Sequence, residues 1–404
     1  MSRGKILLAI VILLALAGFF FFSRGETTPD APPVPSASVP SAQPPSRLPQ
    51  TFPIPDGDLK ESVIAAGDYL VRQQLPNGEL SYQVDFMIGE RAYSPSHVRL
   101  MSGTGALYTV CRVSKDLKYC EAGDLALDHY LEALVTDPER FRGTCLFAEG
   151  ICPLGGAALT VDTIYKRWQA TGDFSLQERN LLGTAVELGY FILSMRKPDG
   201  GFYYALDPHF NASADSDFYM THAASQSLLA ILDLYDMTGN EFWLEQARKV
   251  NDNLISQPVT EDHWHAYAFS KLAQVDSLSK ADQAYAKQIA QTIIDGEVRS
   301  LNPKNTSISS ATKLEGLAAL AQAFHLSDVA SEWLDPEIRA FVTFVQARQI
   351  PNNDCNWGMD NEVVAEFGGA IFSSCDEPSI RIDALQNWVN GATAYLEYRG
   401  MIKK

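Results

Sequence analysis

Apolar residues recur every three or four positions through most of the chain from Asp58 to Ile402, which is the spacing of one face of an α-helix. This pattern predicts twelve helices in six consecutive pairs. The pairs are 58–75 with 97–115, 118–136 with 154–171, 175–197 with 221–238, 240–256 with 262–275, 279–297 with 309–326, and 330–349 with 379–399. Connections inside a pair are mostly long and connections between pairs are short. We therefore predict an all-α (α/α)6 toroid, in which six helical hairpins form an inner and an outer ring.

The short connections carry residues that end one helix and begin the next. Gly172 and Gly239 each follow a predicted inner helix, at the position where a left-handed residue commonly ends it, and a polar residue follows to cap the next helix. The long connections, roughly 76–96, 137–153, 198–220, 298–308 and 350–378, all emerge at the same end of the ring. Long loops on a rigid scaffold are where binding and catalysis usually occur, so we expect the functional site at that end.

The first residues differ in character from the rest. Ile6 to Phe22 is an unbroken apolar run of 17 residues, about 25 Å long as a helix and close to the thickness of a bilayer core. We interpret 1–5 as a cytoplasmic tip, 6–22 as a transmembrane signal anchor and 23–55, rich in Pro, Ser and Ala, as a tether. A cleaved signal peptide is the alternative. Residues 56–404 would then form the toroid domain of a single-pass inner-membrane protein, on the periplasmic side.

The net charge limits the classes of binding partner, and the cysteine content indicates the cellular compartment. The net charge of −17 argues against a nucleic-acid partner, because phosphate binding needs clustered Lys and Arg. The six cysteines fall into near-neighbour pairs, which predicts disulfides in an oxidising compartment, the alternative being scattered buried thiols. The pairs are Cys111 with Cys120, Cys145 with Cys152, and Cys355 with Cys375. None has zinc-site spacing, and we predict no metal and no cofactor.

Two kinds of motif resemble known toroids. Gln73–Gly78, Met195–Tyr203 and Gln349–Gly358, at the ends of outer helices, resemble the Gln-x-x-x-Gly-x-Trp repeats of terpene cyclases and prenyltransferases. Ala230–Ala247 resembles the hairpin junction of carbohydrate-active (α/α)6 proteins, namely uronyl C5-epimerases, N-acylglucosamine epimerases and unsaturated glucuronyl hydrolases. The chain lacks the Asp-x-Asp-Asp acid of cyclases and the Asp, Cys and His zinc set of prenyl transfer. The resemblance therefore implies glycan chemistry.

Residues that open the predicted inner helices should face the central cavity, and five of these six helices open with ionisable residues. As catalytic candidates we name Asp217, Tyr219, His222, Glu315 and Asp383. As substrate-binding candidates we name Tyr93, His97, Arg99, Trp264, His265 and Arg381. For each of them helix capping, packing or an ion pair with a neighbouring helix is the structural alternative.

These residues allow two kinds of sugar chemistry. Hydrolysis would use two carboxylates from Asp217, Glu315 and Asp383, separated by roughly 5–9.5 Å. Epimerisation or elimination would use His222 or Tyr219 to remove a sugar C5 proton, while an arginine neutralises the uronate. We expect a membrane-tethered enzyme acting on an envelope or exported polysaccharide or oligosaccharide, with envelope proteins as candidate partners. The alternative is a non-catalytic toroid that binds a glycan or scaffolds an envelope assembly.

Overall fold

The computed structural model describes residues 56–92, 97–148, 150–206, 217–296 and 304–402, with the backbone alone for 56–58 and 217–221. The predicted tip, anchor and tether and the candidate Tyr93 lie outside the described residues. Within the described part of the chain, none of the helices combines the length and hydrophobicity that a membrane span requires.

Six helical hairpins make up the domain, each with an outer helix followed by an inner one. In chain order they are α1 (Asp56–Arg72) with α2 (His97–Ser114), α3 (Leu117–Leu131) with α4 (Leu154–Thr171), α5 (Leu181–Ser194) with α6 (Asp217–Thr238), α7 (Glu241–Ile255) with α8 (His263–Val275), α9 (Lys280–Asp295) with α10 (Ser307–Leu326), and α11 (Asp335–Gln346) with α13 (Ile382–Tyr398). The short helix α12 (Asn361–Phe367) lies in the last long connection, and a 3-10 turn, Glu332–Leu334, precedes α11.

The inner helices form a closed ring. Helix α2 packs against α4, α4 against α6, α6 against α8, α8 against α10, α10 against α13, and α13 returns to pack against α2. Each inner helix also packs against the outer helix that follows or precedes it. The predicted (α/α)6 arrangement is therefore confirmed for the described residues.

Burial differs between the two rings as this arrangement requires. Outer helices are amphipathic, as in α7, where Trp243, Ala247 and Val250 are buried on one face. Inner helices are buried on nearly all sides and need small residues where they touch. A Cβ atom on Gly391 of α13 would lie 2.9 Å from Cγ of Leu314 and 3.0 Å from the backbone nitrogen of Glu315 in α10. Glycine at this position lets the last two inner helices approach closely.

Short strands join the long connections. The strands β1 (Gln83–Asp85), β2 (Glu90–Ala92) and β9 (Ser379–Arg381) form an antiparallel sheet in the order β2-β1-β9, with Gln83 opposite Arg381. The remaining pairs are β3 (Leu134–Val135) with β4 (Cys145–Leu146), β5 (Cys152–Pro153) with β8 (Ala205–Leu206), and β6 (Ser175–Leu176) with β7 (Arg179–Asn180). The three-stranded sheet links the first long connection to the last.

Two predicted helix starts were wrong because strand pairing replaces the first turn. Residues 175–180 form the β6–β7 hairpin, and α5 begins only at Leu181, where the Asn180 side chain accepts a hydrogen bond from the Gly183 amide. Residues 379–381 pair with β1, so α13 begins at Ile382. The predicted helix ends at Gly172 and Gly239 are confirmed, with φ of 73° and 63°.

The three predicted disulfides are confirmed. Cys111–Cys120 joins the end of α2 to α3, Cys145–Cys152 lies in the second long connection, and Cys355–Cys375 lies in the last. Disulfides form and persist in oxidising compartments, so this set points to an extracytoplasmic location.

Candidate functional site

Two arginines share one carboxylate at the end of the ring that carries the long connections. Arg381 donates to both oxygens of Asp383, at 3.2 and 2.6 Å, and Nε of Arg99 lies 3.8 Å from the same carboxylate. Arg99 also donates to the Tyr82 hydroxyl at 2.5 Å, and each guanidinium carbon lies 5.5 Å from the Tyr82 ring centroid. The Arg99 and Arg381 side chains are about one-third exposed. The cluster therefore presents more positive than negative charge to solvent.

The β2-β1-β9 sheet explains why these groups meet. Tyr82 directly precedes β1, Arg381 ends β9, and the backbone nitrogen of Ile382 donates to the Tyr82 carbonyl at 3.0 Å. Arg99 comes from the first turn of α2, which lies beside α13 in the closed ring. Side chains from the two ends of the domain thus form one surface.

Glu315 lies deeper in the ring, in the middle of α10, and is fully buried. Tyr267 Oη and Gln386 Nε2 both donate to its Oε1 atom, at 3.2 and 3.3 Å. Its Oε2 atom lies 3.8 Å from Nε2 of His263. Burial raises the pKa of Glu315 well above its usual value. Burial therefore favours the protonated form of this carboxyl group, which can donate a proton.

His222 and Asp262 form a dyad on the opposite side of the ring. Nδ1 of His222 lies 3.3 Å from Oδ1 of Asp262, and the Ser225 hydroxyl donates to Oδ2 at 2.5 Å. Asp262 also accepts from the Trp264 backbone amide at 3.0 Å, as the N-cap of α8. Burial alone would raise the pKa of Asp262, but the bond to His222 and the neighbouring groups hold it below its usual value. The ionised carboxylate favours a proton on Nδ1 of His222 and leaves Nε2 as the basic nitrogen.

His263 stands between the dyad and Glu315. Its ring lies 5.2 Å from the His222 ring, edge to face. Burial, reinforced by the charge of His222, lowers the pKa of His263 to about 3, so its imidazole is neutral. We name the whole set, Arg99, Arg381, Asp383, Glu315, His263, His222 and Asp262, the mouth cluster.

His222, Asp262 and His263 are also the residues here that could hold a metal ion, since they offer ligand atoms within 4.8 Å of one another. The Asp262 oxygens, however, already accept hydrogen bonds from Ser225, from His222 and from backbone amides at the start of α8. A metal would have to replace several of these bonds. The arrangement therefore fits a hydrogen-bonded dyad better than a metal site.

His97 and His265, two of the other predicted residues, lie outside the mouth cluster. The His97 ring packs edge to face on Tyr130 of α3, with centroids 5.6 Å apart. His265 is buried, stacks on Phe269 with centroids 4.3 Å apart, and lies 3.1 Å from the Asn251 Oδ1 of α7. The backbone places Asp217 and Tyr219 in the first turn of α6, and their side chains are not described.

A cavity of about 120 Å³ lies on the ring axis, lined by side chains from all six inner helices. We call it the central cavity. Arg112, Gln169, Gln274 and Glu397, in the last turns of α2, α4, α8 and α13, are among its lining residues. The central cavity therefore reaches towards the end of the ring that carries the short connections. Of the predicted residues, Trp264 lines it.

Charged side chains in the middle of inner helices form the wall of the central cavity. Lys166 pairs with Asp162 at 2.7 Å, and Lys271 lies 3.3 Å from Asp233. Burial raises the pKa of Asp233 to about 8. Reasoning from the sequence missed these residues, because it considered only the first turns of the inner helices. The signal that could have found them is a set of charges inside helices that are otherwise apolar on every side.

No family model and no curated protein sequence matches this chain. Solved structures do. The cellobiose 2-epimerase of Spirochaeta thermophila aligns over 88% of this chain and 100% of its own, with 14% identity and a TM-score of 0.62. An unsaturated glucuronyl hydrolase specific for heparin aligns over 86% and 99%, with 12% identity and a TM-score of 0.56. An α-1,6-mannanase of Salegentibacter, in complex with α-1,6-mannotetrose, aligns over 85% and 100%, with 11% identity and a TM-score of 0.56.

The chain has the fold of carbohydrate-active (α/α)6 toroids. At this level of identity the likeness establishes the toroid and not the reaction. The mouth cluster contains side chains capable of acid–base chemistry. It offers two arginines that can bind an anion, a buried carboxyl group of raised pKa, and a histidine whose Nε2 has no hydrogen-bond partner among the described residues.

Proposed function

We propose that this protein is a membrane-tethered, extracytoplasmic enzyme that removes the C5 proton of a uronate residue in a polysaccharide or oligosaccharide, as epimerases and lyases do. The proposal rests on one observation: the candidate base, His222, and the candidate anion site, Arg381 with Arg99, come from opposite sides of the ring. In the closed ring α6 and α13 are the third and sixth inner helices, so His222 and Arg381 come from opposite positions in the ring. A sugar between these walls would have its carboxylate at the arginines and a carbon-bound proton towards the imidazole.

Each group then has a defined task. Arg381 and Arg99 bind the uronate carboxylate and neutralise the charge that develops on it when the C5–H bond breaks. Nε2 of His222 accepts that proton, and Asp262 stabilises the resulting imidazolium. In an elimination the C4–O bond breaks as the C4–C5 double bond forms, and Glu315 would protonate the leaving oxygen. In an epimerisation a proton returns to the opposite face of C5.

Hydrolysis is the second candidate, and the protonated state of Glu315 favours it, because a general acid must keep its proton at the working pH. Asp383 would be the second carboxylate. Its oxygens, however, are bound to Arg381 and face Arg99, which reduces its nucleophilicity. This pairing makes proton abstraction the better-supported reaction. A non-catalytic toroid is the remaining alternative, and the ion pairs in the wall of the central cavity favour it.

The test uses the full-length protein in detergent with uronate-containing and neutral polysaccharides in deuterated water. We expect deuterium at C5 of the uronate, or ultraviolet absorbance from an unsaturated uronate, and neither product from the neutral polymer. His222→Gln should lower the rate at least about 100-fold, since general-base catalysis contributes on that order. His325→Gln, an exposed histidine at the far end of α10, is the matched control. New reducing ends with neither deuterium at C5 nor an unsaturated uronate would establish hydrolysis in its place.

The tether is tested separately. The run from Ile6 to Phe22 should keep the protein in the membrane fraction after alkaline extraction, and deletion of 6–22 should release it. Recovery of the intact chain in the soluble fraction would contradict the anchor.

A further inference from the structure

The central cavity lies mostly on the opposite half of the ring from the long connections. Most of its lining side chains come from the middle and the last turns of the inner helices, as with Leu229 in α6 and Gln322 in α10, while Trp264 lines it from the first turn of the shorter α8. A volume of about 120 Å³ is room for about eight waters, or for a ligand of similar bulk. The space is therefore sufficient for a small organic molecule.

The charges on the cavity wall are already matched. Arg112 pairs with Glu397, Lys166 with Asp162, and Lys271 with Asp236 at 2.6 Å. Each cation of the lining thus has an acidic partner. A ligand with a strong net charge would have to break one of these pairs, so the wall favours a neutral molecule.

Polar atoms without a partner identify the kind of neutral molecule. Oδ2 of Asp233 and Oγ1 of Thr393 have no hydrogen-bond partner among the described residues. Their residues are 1% and 3% exposed, and both line the central cavity. Buried polar groups in native proteins nearly always form hydrogen bonds. A molecule with several hydroxyl groups could satisfy both atoms at once.

Aromatic side chains supply the apolar contact that such a molecule needs. Trp264 and Tyr267 line the central cavity, with ring centroids 6.1 Å apart. The Tyr165 ring is less available because Nζ of Lys271 covers it, 3.5 Å from the centroid. The C–H face of a sugar or cyclic polyol could therefore pack on Trp264 while its hydroxyl groups meet Asp233 and Thr393.

We propose that the central cavity binds a small neutral polyhydroxyl compound, of monosaccharide or cyclic-polyol size, at a site distinct from the mouth cluster. The proposal does not depend on which reaction the mouth cluster performs. Tyr267 connects the two sites, since it lines the central cavity and donates to Glu315.

The experiment measures binding of D-glucose, D-mannose and myo-inositol to the full-length protein in detergent, by saturation-transfer NMR and calorimetry. The charged comparisons are D-glucosamine and, in the Arg381→Gln variant only, D-glucuronate. We expect at least one neutral compound to bind at millimolar concentration or below, more tightly than its charged counterparts. Thr393→Val, which keeps the side-chain shape and loses the hydroxyl, should weaken binding about fivefold. Thr393→Ser keeps the hydroxyl and should retain most of the affinity.

Two further variants locate the site. Thr109→Met, which extends a cavity-lining side chain into the space, should abolish binding, while Arg381→Gln in the mouth cluster should leave it unchanged. Thermal unfolding checks that each variant is folded. Absence of binding by all three neutral compounds, equal losses in Thr393→Val and Thr393→Ser, or loss of binding in Arg381→Gln would each overturn the proposal. Failure of the uronate reaction with intact polyol binding would reject only the proposed enzymatic function.

Discussion

Nε2 of His263 lies 3.8 Å from Oε2 of Glu315, and both side chains are buried inside the ring. At neutral pH this contact is not an ion pair. Burial lowers the pKa of the histidine to about 3 and raises that of the carboxyl group well above its usual value, so both groups are neutral. The ring therefore holds a proton on the acid without placing a buried charge beside it.

The free energy of unfolding of the Glu315→Gln variant should increase relative to that of the wild type as pH rises. Above its unfolded-state pKa of about 4.5 the unfolded carboxyl group releases its proton, while the folded protein retains it. The stability that this group contributes is present below that pH and decreases as pH rises towards the folded-state pKa, and glutamine lacks the effect. Urea unfolding of both proteins from pH 4.5 to 8 measures the difference. A difference that stays constant with pH would contradict the raised pKa.

His265→Gln should show the opposite trend. Burial lowers the pKa of His265 from 6.5 to about 4, so the unfolded chain binds a proton that the folded protein does not. The wild type loses about 1.4 kcal/mol of stability from this group for each pH unit between 6.5 and 4. Relative to the wild type, the variant should therefore gain stability as pH falls through this range. The comparison requires the same unfolding assay, with His325→Gln as an exposed control that shows little change.

Gly369→Ala should be far more destabilising than Gly239→Ala. Both glycines have positive φ, 87° and 63°, so alanine is strained at either position. At Gly239 a Cβ atom meets nothing within 4 Å, and the expected loss is about 1 kcal/mol. At Gly369 the Cβ atom would collide with the backbone carbonyl of Ala65 in α1, and we expect a loss of about 3 kcal/mol or more. Equal losses of unfolding free energy in the two variants, measured by chemical denaturation, would show that the backbone near Gly369 moves to avoid the collision.

Removal of the Cys355–Cys375 disulfide should lower the free energy of unfolding by about 3 kcal/mol, because the bond closes a loop with a sequence separation of 20 residues. Both cysteines are partly exposed, so Cys355→Ser with Cys375→Ser changes little of the packing. The double variant should also respond less to a reducing agent than the wild type does. An unchanged unfolding midpoint in the double variant would indicate that this loop contributes no such constraint.

The outer helices could be predicted from the sequence because their apolar residues recur with helical spacing, and two of the inner helices because they end at Gly172 and Gly239. The β1–β9 pairing could not, since it joins Gln83 to Arg381 across nearly the whole chain and neither segment has a strand-like pattern. This pairing also brings Arg99 and Arg381 together.

Which histidine of α8 faces the site could not be determined either. The sequence favoured His265, whereas His263 lies beside Glu315. Successive residues of a helix point about 100° apart, so an uncertainty of one or two residues at the start of a helix decides which side chain faces inward. Asp262, which caps α8 and fixes His222, was likewise not distinguished from an ordinary capping residue.

The contact between α2 and α13 has a consequence for biosynthesis. The first inner helix emerges early from the ribosome, but the partner that covers its free flank spans Ile382–Tyr398, close to the last residue of the chain. Until that segment is made, apolar surface of α2 and α10 remains uncovered. A premature stop before Ile382 would thus leave two exposed apolar helix surfaces, and we expect the truncated protein to aggregate rather than to form a slightly smaller domain.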